Sequence, residues 1–175
     1  MNVVLTGFMG SGKSTVGKIL AEKLDLSFFD TDEILEENNS STVSEIFAKY
    51  GEKTFRQMER ETIKLVSGLD GVVISTGGGV PLNKDNISDL KKNAVIIYLY
   101  ARPEEIYDRI KHTQNRPLIQ KMLNPLGEIK KLLQERKSAY ESCDFMVNTD
   151  GIAPLEVAQT ILSNHEFQKL GFKER

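Results

Sequence analysis

Gly7-Phe8-Met9-Gly10-Ser11-Gly12-Lys13-Ser14 follows the apolar run Val3-Val4-Leu5 and precedes a helical pattern that extends from Ser14 to Leu24. The spacing is G-x-x-x-x-G-K-[ST], set between a strand and a helix, which is the context this phosphate-binding motif requires. Glycines let the backbone turn tightly and bring its N–H groups close to an anion. The helix beyond points its positive end at the same place. Lys13 adds a movable charge for the outer phosphates, and Ser14 offers a hydroxyl to Mg²⁺. Gly10, Ser11, Gly12, Lys13, Ser14 and Thr15 are thus the expected nucleotide-binding residues. A glycine-rich turn that binds nothing would not need the lysine, the serine and both flanks together. The loop speaks for a nucleotide and leaves the reaction open.

Outward from this loop, strands and helices alternate, which argues for a parallel sheet with helices on both faces. Strand one is Asn2 to Thr6, and helix one runs from Lys13 to Leu24 with Val16, Ile19, Leu20 and Leu24 on one stripe. A short strand, Ser27-Phe28-Phe29, ends in Asp30-Thr31-Asp32, and Ile34-Leu35 opens a short helix. Thr42 or Ser44 caps the next helix, Gly51 breaks it, and a longer one follows to about Leu69. Val72-Val73-Ile74 is a buried strand that runs into Ser75-Thr76-Gly77-Gly78-Gly79. Asn83 to Lys92 reads as helix. Ala94 to Tyr100 is the most apolar run and is expected at the centre of the sheet. Arg102-Pro103-Glu104-Glu105 starts another helix, with Pro at its first position and acids in its first turn. The pattern lapses from His112 to Asn124, which reads as a loop or lid. Leu126 to Tyr140 is helix, Phe145 to Val147 a last strand, and Ala153 to Leu162 a last helix. The end from His165 to Arg175 is polar and expected to fray.

The bulk numbers narrow the field. A chain of 175 residues fits one domain, core about 2–164, and 39% hydrophobic with 27% charged residues reads as ordinary and globular. With 23 basic and 25 acidic residues the net charge is −2, which gives no drive towards nucleic acid or an anionic membrane. Cys143 stands alone, so no intrachain disulfide forms, and it reads as a small buried or half-buried residue. No run is long enough to span a bilayer, and a strand beginning at Asn2 leaves no room for a leader. A cytoplasmic protein is the expectation.

In such sheets ligands gather at the carboxyl ends of the strands. Three features fall there: the P-loop, Asp30 with Asp32, and Gly77-Gly78-Gly79. If the backbone stays extended, the two aspartates point to one side, one nearer a metal and the other nearer a second substrate. A helix cap pair is the plainer reading, and the two are compatible. Three consecutive glycines are costly in chain entropy unless bare backbone must approach a hydroxyl or carboxylate. Arg56 and Glu59 share a helix face, so the acid can orient the guanidinium. Taken alone, Arg56, Arg116 and Arg136 read as solvated charges. His112 and His165 have no partner pattern.

Taken together, the chain resembles the shikimate kinases over Asn2 to about Leu162. The pieces are the P-loop region Gly7 to Gly17, Phe29-Asp30-Thr31-Asp32, Phe55-Arg56-Gln57-Met58-Glu59, Gly77-Gly78-Gly79, Arg116-Pro117-Leu118, and Arg136 with Tyr140. The P-loop is shared by many families, whereas the ordered set of the other five is specific. The resemblance implies a three-layer α/β sandwich of the nucleoside-monophosphate-kinase type, with a five-stranded parallel sheet, a substrate-binding helical region and a lid. It implies ATP-dependent phosphorylation of the 3-hydroxyl of shikimate, in aromatic amino-acid biosynthesis, with Mg²⁺ and a monomeric enzyme. It also implies roles. Asp32 binds the hydroxyls and helps remove the proton, Arg56 and Arg136 hold the carboxylate, and Gly78, within the triplet Gly77 to Gly79, touches shikimate. Arg116 reaches over ATP from the lid, Lys13 serves the phosphates, and Ser14 and Asp30 serve the metal, Asp30 through its water shell.

One feature departs from many P-loop proteins: strand three ends in Ser75-Thr76, with no acid for the metal. The Asn148 to Pro154 loop is the expected neighbour of the adenine base. A gluconate kinase would share the P-loop and lid, but not the triplet with Arg56 and Arg136. An adenylate kinase would need more basic residues at the acceptor side. A GTP-dependent switch needs D-x-x-G and N-K-x-D; no D-x-x-G occurs, and Asn83-Lys84-Asp85 has the wrong spacing. A silent family relative would have lost Lys13 or Asp32.

Overall fold

The short β-branched and aromatic runs pair into one parallel sheet of five strands. They are β1 (Asn2–Thr6), β2 (Ser27–Asp30), β3 (Val72–Ser75), β4 (Ala94–Tyr100) and β5 (Phe145–Asn148), in the order β2-β3-β1-β4-β5. The structure, a computed structural model, describes residues 1–111 and 124–172. Leu5 is in register with Ser75 on one side and Ile97 on the other, and Ser75 is in register with Asp30. The expectation that Ala94 to Tyr100 is central needs correcting: β4 lies between β1 and β5, and the fully buried β1 holds the middle. Both strands are covered on two faces, so apolar content alone does not separate them.

Among the described residues the helices are α1 (Lys13–Leu24), α2 (Thr31–Asn39), α3 (Val43–Ser67), α4 (Lys84–Leu90), α5 (Pro103–Ile110), α6 (Pro125–Tyr140), α7 (Pro154–Leu162) and α8 (His165–Lys169). A 3₁₀ turn over Val80–Leu82 precedes α4. Strand periodicity divides the core. Val3 and Leu5 of β1 join Val16, Leu20, Val157, Ala158 and Ile161 on one face. Val4 joins Ile63, Val66, Ile87 and Leu90 on the other. This is the three-layer arrangement, with α1, α7 and α8 below the sheet and α3 and α4 above it. None of these helices is long and apolar enough to cross a membrane.

Capping follows the sequence. Thr42 and Glu45 exchange hydrogen bonds in a capping box that starts α3, and Gly51 interrupts that helix with φ 75° and ψ 171°. Asn124 caps α6 by accepting from the Gly127 N–H at 3.1 Å. The rest of the expected lid, including Arg116, lies outside the described residues.

The end of the chain differs from expectation. Asn164 accepts from the N–H groups of Glu166 and Phe167 and starts α8. Phe167 is 1% exposed, and Phe172 stacks on it at 4.7 Å. Two aromatics in a polar stretch suffice to dock it, and their sequence spacing gave no helical stripe. Phe167→Ala should cost roughly 3–5 kcal/mol of unfolding free energy, as for other buried aromatic truncations. Urea denaturation measures this, and a loss under about 0.5 kcal/mol, the size of a surface change, would mean the segment is not docked.

Candidate active site

The P-loop leaves β1 and enters α1 through backbone that only glycine tolerates well. Gly10 has φ 77°, and a methyl group there would come 2.7 Å from Ile110 Cγ2. Gly12 has φ 96° and precedes α1 without a side-chain cap, so the first N–H groups of the helix remain for an anion. Lys13 is 8% exposed and donates from Nζ to the Phe8 carbonyl at 2.9 Å. Thr15 is exposed in the first turn of α1.

Ser14 sits beside the ends of β2 and β3. Its hydroxyl donates to Asp30 Oδ2 at 2.6 Å and lies 3.4 Å from Ser75 Oγ. Asp30 also caps α2, its Oδ1 accepting from the Asp32 N–H at 3.0 Å. Capping and proximity to Ser14 therefore coexist on one carboxylate. Of the two readings of Asp30 to Asp32, extended backbone or helix cap, the cap is the one that forms: α2 starts at Thr31, so Asp32 is already in the first helical turn. The cap itself forces this, because an N-cap carboxylate that accepts the N–H two residues on draws the chain into the helix. Thr31 Oγ1 accepts from the Gly77 N–H at 2.9 Å, which ties the start of α2 to the glycine triplet.

Gly77 and Gly79 have no side chains because other side chains occupy their places. A methyl group on Gly77 would lie 2.5 Å from Asp32 Oδ1. One on Gly79 would collide with the Arg56 guanidinium. One on Gly78 would meet Gly7 O and Met9 N at 3.6 Å, ordinary contact, so this residue lies against the P-loop. Asp32 and Arg56 thus converge on one short loop beside the phosphate site. The anticipated Arg56–Glu59 pair is present, with Nη1 donating to both carboxylate oxygens at 3.0 Å. Glu59 is 2% exposed, and burial pushes its carboxyl up, while Arg56 and then Arg136 oppose the shift and Asp32 adds to it. The Arg136 guanidinium lies 5.7 Å from the centroid of the buried Phe8 ring.

Three contacts escape a reading of the sequence. Phe8 is a variable position of the P-loop motif, yet its ring backs Arg136. The Tyr140 hydroxyl donates to the Gly78 carbonyl at 2.7 Å. Arg109 donates through Nη1 to Gly10 O at 3.2 Å and Thr149 Oγ1 at 3.0 Å, and through Nε to Glu105. It joins the P-loop to the loop expected near the base. The Glu105–Arg109 spacing was visible, but the link to Gly10, 99 residues away, was not. Arg116 cannot be placed, being outside the described residues.

As an arrangement, these groups suit transfer of a phosphoryl group to a small hydroxylated anion. A phosphate cradle and a pair of oxygen donors stand on one side, and an acid with two guanidinium groups on the other. A family model described as shikimate kinase matches residues 9–166. A shikimate kinase of Thermodesulfovibrio yellowstonii is 48% identical over 165 residues, covering 94% of this chain and 95% of that protein. Among solved structures, the shikimate kinase of Acinetobacter baumannii in complex with shikimate has a TM-score of 0.90 at 34% identity, covering 98% of this chain and 95% of the other. That of Aquifex aeolicus has a TM-score of 0.83 at 37% identity, covering 98% and 99%. With the family model matching most of its length, the chain belongs to the shikimate kinase family.

Proposed function

We propose that this protein transfers the γ-phosphoryl group of ATP to the 3-hydroxyl of shikimate, giving shikimate 3-phosphate and ADP. The observation that carries the reading is the meeting of Asp32 and Arg56 on the side-chain-free triplet next to the P-loop. Shikimate is a small carboxylate with three hydroxyls. An acceptor carboxylate such as Asp32 suits hydroxyls, and planar guanidinium groups suit a carboxylate better than lysine would. A gluconate kinase would not need the triplet with Arg56 and Arg136.

In the mechanism, the α1 N-terminus and Lys13 hold the ATP phosphates. Arg56 and Arg136 grip the acceptor's carboxylate and so aim its 3-hydroxyl at the γ-phosphorus. The hydroxyl oxygen forms a bond to phosphorus as the bond to the β-phosphate oxygen breaks, and ADP leaves. Asp32 takes the hydroxyl proton. Ser14 and Asp30, hard oxygen donors 2.6 Å apart, fit Mg²⁺, with Asp30 acting through water and Ser75 alongside. When bound, that ion would supply positive charge to offset the negative charge of the phosphates. The family resemblance assigns Arg116 to the same neutralisation, from a lid over 112–124. Positioning and charge compensation supply most of the rate in such transfers. We read the protein as a cytoplasmic monomer without nucleic-acid or membrane partners, and its net charge of −2 supports the absence of those two partners.

ADP release with MgATP should depend on shikimate, with no stimulation by gluconate. Turnover with gluconate alone would remove the acceptor-site assignment and keep the P-loop. Arg56→Lys keeps a cation beside the buried Glu59 but loses the planar fork. It should raise the KM for shikimate about 10-fold or more, as expected for a charge-assisted hydrogen bond, and leave the KM for ATP unchanged. A parallel rise in both constants would point to general disruption instead. Gly79→Ala should act like Arg56→Lys, because the new methyl group displaces the same guanidinium. Shikimate affinity by calorimetry reads this, and an unchanged value would show that Arg56 does not need the vacant position.

A further inference from the structure

Tyr140 ends α6, one turn beyond Arg136, and i to i+4 spacing puts both on one face. Its ring is 1% exposed and stacks on Tyr98 at 5.1 Å with 12° between the planes. A stacked, buried tyrosine is ordinary core filling, but its hydroxyl is not spent on the core. It donates to the carbonyl of Gly78 at 2.7 Å, in the middle of the triplet. Gly78 in turn lies against Gly7 and Met9 of the P-loop. On the same face, Arg136 rests on the ring of Phe8. One turn of α6 therefore holds both loops that border the acceptor: the glycine loop through Tyr140, and the P-loop through Arg136 and Phe8.

The electrostatics agree with this placement. Burial pushes the Tyr140 phenol up, and Arg136 and then Arg56 oppose that shift. The two guanidinium groups that oppose it are those assigned to the acceptor's carboxylate. The hydroxyl remains a neutral donor, its proton committed to Gly78 and its oxygen turned towards cations.

We propose that Tyr140 is a positioning residue for the acceptor, its hydroxyl fixing Gly78 and the end of α6 so that Arg136 and the glycine loop meet the shikimate carboxylate and hydroxyls in register. This rests on the acceptor site described under the proposed function. Tyr140 acts through Gly78 and Arg136 and takes no part in proton or phosphoryl transfer. Without the hydrogen bond, the end of α6 is held by apolar packing and by the Arg136–Phe8 contact, which are less directional and tolerate small sliding.

Tyr140→Phe removes one oxygen and keeps the ring on Tyr98. Steady-state kinetics and calorimetry should show shikimate KM and Kd raised about 3- to 10-fold, the range for loss of one hydrogen bond. The KM for ATP and kcat should stay within about twofold, less than that bond's range. Ile129→Val, in α6 and in the same apolar cluster, serves as the stability control. It should lower the Tm without moving the shikimate constants. An unchanged shikimate KM in Tyr140→Phe, or equal rises for both substrates, would overturn the inference and leave the acceptor site standing. Absence of shikimate binding to the unaltered protein would overturn the acceptor site and this inference together.

Discussion

Parallel register at the carboxyl ends of β2, β3 and β1 is the constraint on which the site depends. Asp30, Ser75 and Leu5 lie in one row across these strands. Beyond that row the Thr76 N–H and hydroxyl both donate to the Leu5 carbonyl at 3.1 Å, extending the pairing past the end of β3. The P-loop, the glycine triplet and the start of α2 therefore emerge side by side. A slip of one residue would turn every strand side chain to the opposite face, and it would part Ser14 from Asp30. The cores on the two faces resist that slip, because Val4 faces one of them while Val3 and Leu5 face the other. Packing far below the site thus sets distances within it.

Glycine at 77 and 79 is a matter of occupancy more than of backbone freedom, since neither has a positive φ. The space a β-carbon would take is filled by the ends of Asp32 and Arg56, which come from α2 and α3. The triplet is the floor on which groups from two helices meet. The unfolded chain gains entropy from each glycine, so the folded state carries that cost at every molecule. Two contacts offset part of it: the Thr31 hydroxyl accepting from Gly77, and the Tyr140 hydroxyl donating to Gly78. Both bonds are to backbone, so they order the loop without covering the surface that an acceptor must reach.

Much of this was legible in the sequence wherever function lies close along the chain. β1, the P-loop and α1 follow from a contiguous motif, and Arg56 with Glu59 follows from helical spacing. Asp30 could be placed near Ser14 because strand ends converge in this architecture. What a linear reading loses is the dual use of a side chain. Tyr140 and Phe8 look like core residues, and they are, but one spends its hydroxyl and the other its ring face on the site. At Thr31 the sequence left both an extended backbone and a helix cap open. Extended and capping conformations place Asp30 alike, and only the hydrogen bond to Asp32 N decides between them. At the C-terminus, Phe167 and Phe172 are too few to form a stripe, and their partner Phe145 lies in another element.

The pairing of Arg56 with Glu59 explains how a guanidinium can be both ordered and available. A buried carboxylate costs free energy that its cation at best repays, so the pair is weak as a source of stability. Its value is directional. Nη1 is committed to Glu59 at 3.0 Å, and the guanidinium is backed by the rings of Phe55 and Phe47 at 5.3 and 5.9 Å. Nη2 faces Glu52 at 3.5 Å, whose side chain is 70% exposed. The two acids hold the same arginine under different conditions. Water competes for Glu52, and an exposed i, i+4 pair is worth only a few tenths of a kcal/mol. Glu59 is out of water's reach and would be left unpaired if Arg56 turned away. If Arg56 receives the acceptor's carboxylate as proposed, that group would displace Glu52 at little cost and leave Glu59 in place. The buried acid fixes where the guanidinium points, and the exposed one leaves Nη2 on the side open to water.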